Sequence, residues 1–175
     1  MRTGWQRGWV RGVTTILTLG MLVLIFFFSA EDASRSNRTS GAVSEWVAER
    51  TVPEFRQMAP AKKQTVVDQI QHRVRKNAHF LEYTLLGFLL RCCLESWFTG
   101  RKRLPLWAWM GGTLYAATDE AHQLLVDGRG GSMLDVLLDS SGVLCGVLLG
   151  MLLVSRIRKR KRAKVHGDEH RAGLS

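Results

Sequence analysis

Long uncharged blocks constrain this chain more than any other feature of its sequence. Residues 13–30, VTTILTLGMLVLIFFFSA, carry no charged side chain, and their length is about the minimum for a bilayer span. The block at 134–154 is similar apart from two acids near its start. Two weaker blocks, 78–98 and 104–126, lie between them. We therefore predict an all-α, polytopic membrane protein with four transmembrane helices.

The segments around the apolar blocks predict an orientation. Residues 1–12, the GRKR loop after the second block and the tail at 155–175 are all basic. With four spans these segments lie on one side of the membrane, which the positive-inside rule makes cytoplasmic. We expect a cell-membrane protein with cytoplasmic termini, a membrane domain over 13–154 and an outer segment over 31–77.

Part of the outer segment has helical periodicity. Residues 62–74 place four Val and Ile side chains on one helical stripe, shortly after Pro60. This pattern predicts an extracytoplasmic amphipathic helix that runs into the second span. Further along, Arg91 and Glu95 are four residues apart near the inner end of that span. They predict a self-paired boundary without a further function.

Two alternatives concern the ends of the chain. The first block could be a cleaved signal peptide, but its apolar run is long and Phe28 stands where cleavage needs a small residue. We favour a retained anchor. The formal net charge of +10 predicts a cytoplasmic surface attracted to anionic lipid rather than a nucleic-acid partner. The three cysteines fall inside spans without a disulfide or metal-binding spacing, so they indicate packing.

Ionisable residues cluster at the outer ends of three predicted spans. At about 1.5 Å per residue, they lie within roughly 10–12 Å of the outer surface. Charges at that depth generally face partners or a water-filled cavity, so we predict one polar site. Its members are Lys76, His79, Glu82, Tyr83, Asp119, Glu120, Gln123, Arg129 and Asp135, with Arg75, His122 and Asp139 as secondary members.

The spacing within spans two and three supports one site. His79, Glu82 and Tyr83 share one helical face, because they are separated by three and four residues. Asp119 and Gln123 are four residues apart in the third span. Each helix therefore presents its polar groups together.

Span four shows which of its faces is packed. Asp135 and Asp139 are four residues apart, and the same stripe continues through Gly142, Gly146 and Gly150. Glycines at this spacing let a neighbouring helix approach closely. We therefore expect the acidic face of this span to point into the bundle.

Several motifs resemble the VanZ-like family of bacterial membrane proteins. They are RKNAHFLEYTLLGFLL, DEAHQ, an Arg at 129 past the turn, and DVLLDSSG. The resemblance implies a four-helix integral membrane protein, with glycopeptide (teicoplanin) resistance attributed to the namesake. Members often have Asn where Asp139 stands. His122 lies outside the family pattern, so packing or loop bonding is the better interpretation of that residue.

Three functions remain open. In the one we favour, the protein is an accessory factor that binds or modifies an envelope component. Its basic residues would hold anionic groups of the ligand, and its acidic residues would hold a cationic or polyhydroxyl portion. The second is a membrane enzyme, since His and carboxylates are metal ligands and crowded acids suit acid/base work. The third is a purely structural ion-pair network. We expect membrane lipid, a lipid-linked cell-wall precursor or an anionic headgroup as partner; the sequence identifies no cofactor or metal.

Overall fold

The computed structural model describes residues 4–30, 33–126 and 131–172. Over these residues the chain forms five α-helices and one short 3₁₀ helix, without a strand. The all-α prediction is therefore confirmed for the described part of the chain. The α-helices are α1 (Gly4–Ser29), α2 (Ala33–Thr51), α3 (Pro60–Trp97), α4 (Leu104–Gln123) and α5 (Met133–Ala172), and the 3₁₀ helix is Phe55–Gln57.

Helix α3 joins two predicted elements into one. It begins at Pro60, whose fixed φ and missing N–H suit the first turn of a helix. It then continues without interruption through the expected outer amphipathic helix and the second apolar block. The chain turns after Trp97, where Gly100 adopts a φ of 89° that side chains with a Cβ rarely accept.

Helix α2 was not predicted as a separate element. It packs against the first half of α3, where the Gln71 amide donates a hydrogen bond of 2.8 Å to the Ser40 hydroxyl. Ser44 and Ala48 are fully buried in this contact. The polar segment before α3 is therefore a helix that covers α3.

The directions of the helices follow from their contacts. Helices α1 and α4 run in parallel, because Tyr115 bonds to the Leu22 carbonyl and His122 stacks near Phe26. Helices α3 and α5 run in parallel as well, and α5 is antiparallel to α4. We call the end where α4 finishes and α5 begins the site end. The opposite end, near Glu95, is the tail end.

The contact between α3 and α5 is a close approach of backbones. A Cβ at Gly146 would overlap the Thr84 carbonyl oxygen and lie 2.6 Å from the Phe88 amide nitrogen. A Cβ at Gly142 would lie 2.6 Å from the Phe80 carbonyl oxygen. The glycine stripe of α5 is therefore its packed face in this structure, and it joins the site end to the tail end.

Within the described ranges, two helical stretches are long and apolar enough to cross a membrane, Gly8–Ser29 and Met133–Arg160. The predicted second and third spans correspond to α3 and α4. Charges interrupt the apolar run of α3 at Glu82, Arg91 and Glu95, so composition alone does not identify that helix as a span.

Candidate functional site

The rim of the site is an ion pair between α3 and α5. The Lys76 ammonium lies 2.7 Å from Asp135 Oδ1. Both side chains are partly exposed, at 40% and 27%, so water screens this attraction. The pair connects the two helices at the site end.

Helix α4 supplies a buried polar face. Asp119, Glu120 and Gln123 are all buried. The Gln123 amide donates a hydrogen bond of 3.2 Å to Asp119 Oδ2, as their spacing of four residues allows. The backbone N–H of Ser132 donates a bond of 2.9 Å to Glu120 Oε2. The last turn of α4 is thereby held against the start of α5.

The centre of the cluster is formed by Asp139 and Tyr83. Their exposed fractions are 1% and 0%. Neither oxygen of the Asp139 carboxyl group has a hydrogen-bond partner among the described residues. The Tyr83 hydroxyl completes no hydrogen bond with them either. The Tyr83 hydroxyl lies beside Asp119, but without the geometry of a bond. Buried polar groups of this kind are rare and are often found at functional sites.

Asp139 is also within electrostatic range of acids from three helices. They are Glu82 of α3, Asp119 and Glu120 of α4, and Asp135 of α5. The structure therefore brings together five carboxylates that the sequence places in separate segments. Sequence reasoning ranked Asp139 as secondary, whereas the structure puts it in the middle of this set.

The remaining predicted members differ in position. His79 and Arg75 are half-buried on α3, on the turns that flank Lys76. The His122 ring lies 5.1 Å from the Phe26 ring, a packing contact with α1. Arg129 falls outside the described residues.

Sequence reasoning missed a hydroxyl pair next to Asp139. Ser140 and Thr113 have hydroxyl oxygens 2.8 Å apart, and the Trp109 indole N–H donates to Ser140 at 3.2 Å. These bonds join α4 to α5 beside the acids. The sequence feature that could have identified this pair is Ser140 itself, a polar residue within the fourth apolar block.

No three His, Cys, Asp or Glu side chains are arranged to hold a metal ion in the described ranges. The acids instead lie around Asp139 and Tyr83, with open acceptor atoms in the middle. Such an arrangement favours binding of hydrogen-bond donors and of positive charge.

A second charged cluster lies at the tail end. Arg91 Nη1 lies 3.1 Å from Glu95 Oε2, and Arg158 Nη2 contacts the other oxygen of Glu95. The predicted self-pair within α3 is present, and α5 adds a third member. Arg11 of α1 also reaches this end, donating a bond of 3.0 Å to the Ser96 carbonyl.

Comparison with known proteins identifies a family. The family model described as VanZ-LLP1: VanZ/LLP1 matches residues 14–154, which include the whole polar cluster. No curated protein and no solved structure matches the chain.

Proposed function

Because the chain belongs to the VanZ/LLP1 family, we propose that it is a multi-pass protein of the cell membrane that acts as a binding or envelope-modifying accessory factor. The binding site is the polar cluster at the site end. The observation that carries this proposal is the convergence of acids from α3, α4 and α5 around the buried Asp139. Ionisable groups at membrane depth are expensive and generally serve a function.

The distribution of side chains supports four spans. In α3 and α4, large apolar residues point outward while Arg91 of α3 and Asp119 and Glu120 of α4 are buried, the reverse of a soluble protein. Such an apolar surface is favourable against the hydrocarbon core of a bilayer and unfavourable in water. The exposed residues that carry this argument are Leu81 and Leu85 of α3, and Leu106, Trp107, Met110 and Leu114 of α4.

The proposed orientation puts both termini in the cytoplasm. The first helix begins and the last helix finishes at the tail end, together with the basic GRKR loop. Short basic segments favour the cytoplasmic side. The site end then lies at the outer leaflet.

The expected partners are membrane lipid and either a lipid-linked cell-wall precursor or an anionic headgroup. Lys76 lies at the rim, and Arg75 and Arg129 add two further cations by their places in the sequence. Guanidinium and ammonium groups bind phosphate and carboxylate strongly. The deeper acids would hold a cationic or polyhydroxyl part of the same ligand.

Alanine substitution in a glycopeptide-sensitive bacterial host tests the proposal. We expect Glu120→Ala and His79→Ala to abolish any teicoplanin tolerance that the wild-type chain provides, at normal membrane levels. Asp68→Ala is the matched control, because Asp68 is an exposed acid of α3 away from the cluster. If the two site variants disappear from the membrane, the cluster is a structural lock and the proposal is wrong.

A second candidate function is a membrane-embedded enzyme that acts on lipid-linked or headgroup substrates. The open acceptors of Asp139 and Tyr83 favour it, because catalytic groups are often left without partners until substrate binds. Mass spectrometry of lipid extracts from cells with and without the chain separates the two functions. A new lipid product that Asp139→Asn abolishes would establish the enzyme, whereas an unchanged lipid profile supports the accessory factor.

A further inference from the structure

We propose that the tail end binds headgroups of anionic phospholipid, and that Arg11 of α1 and Arg158 of α5 are the residues that hold the lipid phosphates. This site lies at the opposite end of the bundle from the polar cluster, and it rests only on the membrane location proposed above. The net charge of the chain predicts no more than a general attraction to anionic lipid. The structure adds that two accessible arginines at this end are held by hydrogen bonds that do not neutralise them.

Arg11 is ordered by contacts with uncharged groups. Its Nε donates a bond of 3.0 Å to the Ser96 carbonyl, and its guanidinium carbon lies 5.1 Å from the centre of the Trp97 ring. The Trp97 indole N–H donates in turn to the Thr15 hydroxyl at 3.1 Å, which ties the ring to α1. No acid of the described ranges pairs with Arg11. Its full positive charge is therefore held between α1 and α3, with terminal N–H donors that these contacts do not use.

Arg158 shares its counter-ion with another arginine. Its Nη2 contacts Glu95 Oε1, while Arg91 Nη1 lies 3.1 Å from the other oxygen. The Arg91 side chain is buried, whereas that of Arg158 is 47% exposed. One carboxylate therefore faces two guanidiniums, and Arg158 presents the excess positive charge at the surface. A guanidinium binds phosphate through a planar fork of donors, and an arginine that is already held loses less side-chain freedom when it binds.

The apolar surroundings favour a lipid over a free phosphate ion. Trp97 and Phe98 are exposed at the end of α3, and Trp107 is exposed in the first turn of α4. Trp side chains at the ends of spans are typical of the headgroup level of a membrane. A phospholipid would cover this apolar surface with its acyl chains while its phosphate contacts a guanidinium. A free phosphate ion would leave the same surface uncovered.

The tail end also provides a matched control pair. Lys102 of the GRKR loop and Lys159 of α5 are exposed, and neither side chain has an acid or a ring as partner among the described residues. They carry the same total charge as Arg11 and Arg158, but no contact orders them. A general electrostatic attraction would depend equally on both pairs, whereas a binding site depends on the arginines.

Native mass spectrometry of the full-length protein in detergent tests the proposal. The protein is titrated with dioleoylphosphatidylglycerol or with dioleoylphosphatidylcholine at constant ionic strength, and inorganic phosphate is added as a competitor. We expect phosphatidylglycerol to be retained at concentrations where the zwitterionic phosphatidylcholine is not, and to resist displacement by phosphate. Equal retention of phosphatidylcholine would refute the preference for an anionic lipid. Displacement by inorganic phosphate would show that the site takes the free ion and would refute the lipid.

Substitutions assign the binding to the two arginines. Arg11→Gln combined with Arg158→Gln should weaken phosphatidylglycerol binding by at least about tenfold, because two charge-assisted contacts are lost. Lys102→Gln combined with Lys159→Gln removes the same charge and should weaken binding by less than about twofold, since exposed and unordered charges are screened. Equal weakening by the two pairs would show a diffuse basic surface and refute the site.

A conservative pair keeps the test decisive if the glutamine pair does not assemble, which size-exclusion chromatography would reveal. Arg11→Lys combined with Arg158→Lys retains both charges but loses the planar fork and the stacking on Trp97. We expect binding to weaken by about threefold to tenfold. Lipid binding as tight as in the wild type would refute the role of the fixed guanidiniums.

The two proposals can fail separately, because their tests use opposite ends of the bundle. If antibiotic tolerance depends on Glu120 and His79 but phosphatidylglycerol is not retained, the accessory function stands and the lipid site is refuted. If phosphatidylglycerol binds through the two arginines but tolerance is independent of Glu120 and His79, the lipid site stands and the proposed function is refuted.

Discussion

Two carboxylates at opposite ends of the bundle, Glu95 and Asp139, have opposite surroundings. Each oxygen of Glu95 contacts a guanidinium, one from Arg91 of the same helix and one from Arg158 of α5. Neither oxygen of Asp139 has a hydrogen-bond partner in the described segments. A carboxylate saturated by its own protein stabilises the fold, whereas an open one can receive a ligand.

The difference arises from side chains, because the same two helices build both ends. Helices α3 and α5 lie backbone to backbone at Gly142 and Gly146, and Gly150 packs against the Arg91 side chain. The helix contact is therefore continuous from Asp139 to Glu95. Substitutions at the tail end should then cost more stability than substitutions at the site end, and a substitution between them should affect both.

The largest expected effect lies at the shared contact. Gly146→Leu places a side chain where the Thr84 carbonyl oxygen stands, so α3 and α5 must separate. We expect the free energy of unfolding to fall by more than about 3 kcal/mol, beyond the usual range for overpacking because backbone is the obstacle. Denaturant titration in detergent measures it. The control is Gly111→Leu, where a Cβ would meet nothing within 4 Å; equal losses in both would show that the stripe is not a packed face.

The second-largest expected effect on the free energy of unfolding is at the tail end. Glu95→Gln removes the charge that Arg91 and Arg158 share, and leaves the buried Arg91 without its counter-ion. We expect a loss of about 2 kcal/mol, since glutamine keeps one acceptor. The same titration measures it, and an unchanged stability would show that the tail cluster does not hold the bundle.

A smaller effect is expected at the rim of the site end. Lys76→Met removes the partner of Asp135, but both groups are partly exposed and screened. The free energy of unfolding should therefore fall by about 1 kcal/mol or less. A loss as large as that of Glu95→Gln would mean that the rim pair is part of a structural lock, and would remove the contrast between the two ends.

The smallest expected effect on stability is at Asp139, and it tests the contrast with Glu95 most closely. Asp139→Asn replaces a buried carboxyl group whose oxygens no described donor reaches. We expect a stability within about 1 kcal/mol of wild type, or a gain, because no formed interaction is lost. A clear destabilisation, measured beside Glu95→Gln under the same conditions, would show that Asp139 already has a partner in the protein.

The sequence predicts the helices wherever local pattern determines them. Apolar blocks placed α1 and α5, and Pro60 marked the start of α3. Helix α2 escaped prediction because its residues are mostly polar and its apolar stripe, Val43, Trp46 and Val47, covers little more than one turn. It is held instead by buried Ser44 and Ala48 against α3, a tertiary contact that no local propensity reports.

The same limit applies to the charged clusters. The spacing of four residues identified the pair of Arg91 and Glu95, but Arg158 is 63 residues from Glu95 in the chain. The secondary rank of Asp139 followed from its difference from the family pattern. Only the packing of three helices reveals that the other acids surround it, because one sequence shows which face a residue occupies but not which faces meet.

The central claim is that the acidic end of the bundle opens to the outside of the cell, and cysteine labelling in intact cells tests it most directly. In a background with Cys92, Cys93 and Cys145 changed to alanine, Asn77→Cys marks the site end and Lys102→Cys marks the tail end. Both positions are exposed in the structure. An impermeant thiol reagent should label the first variant and not the second. Labelling of Lys102→Cys alone would put the site in the cytoplasm and contradict the account.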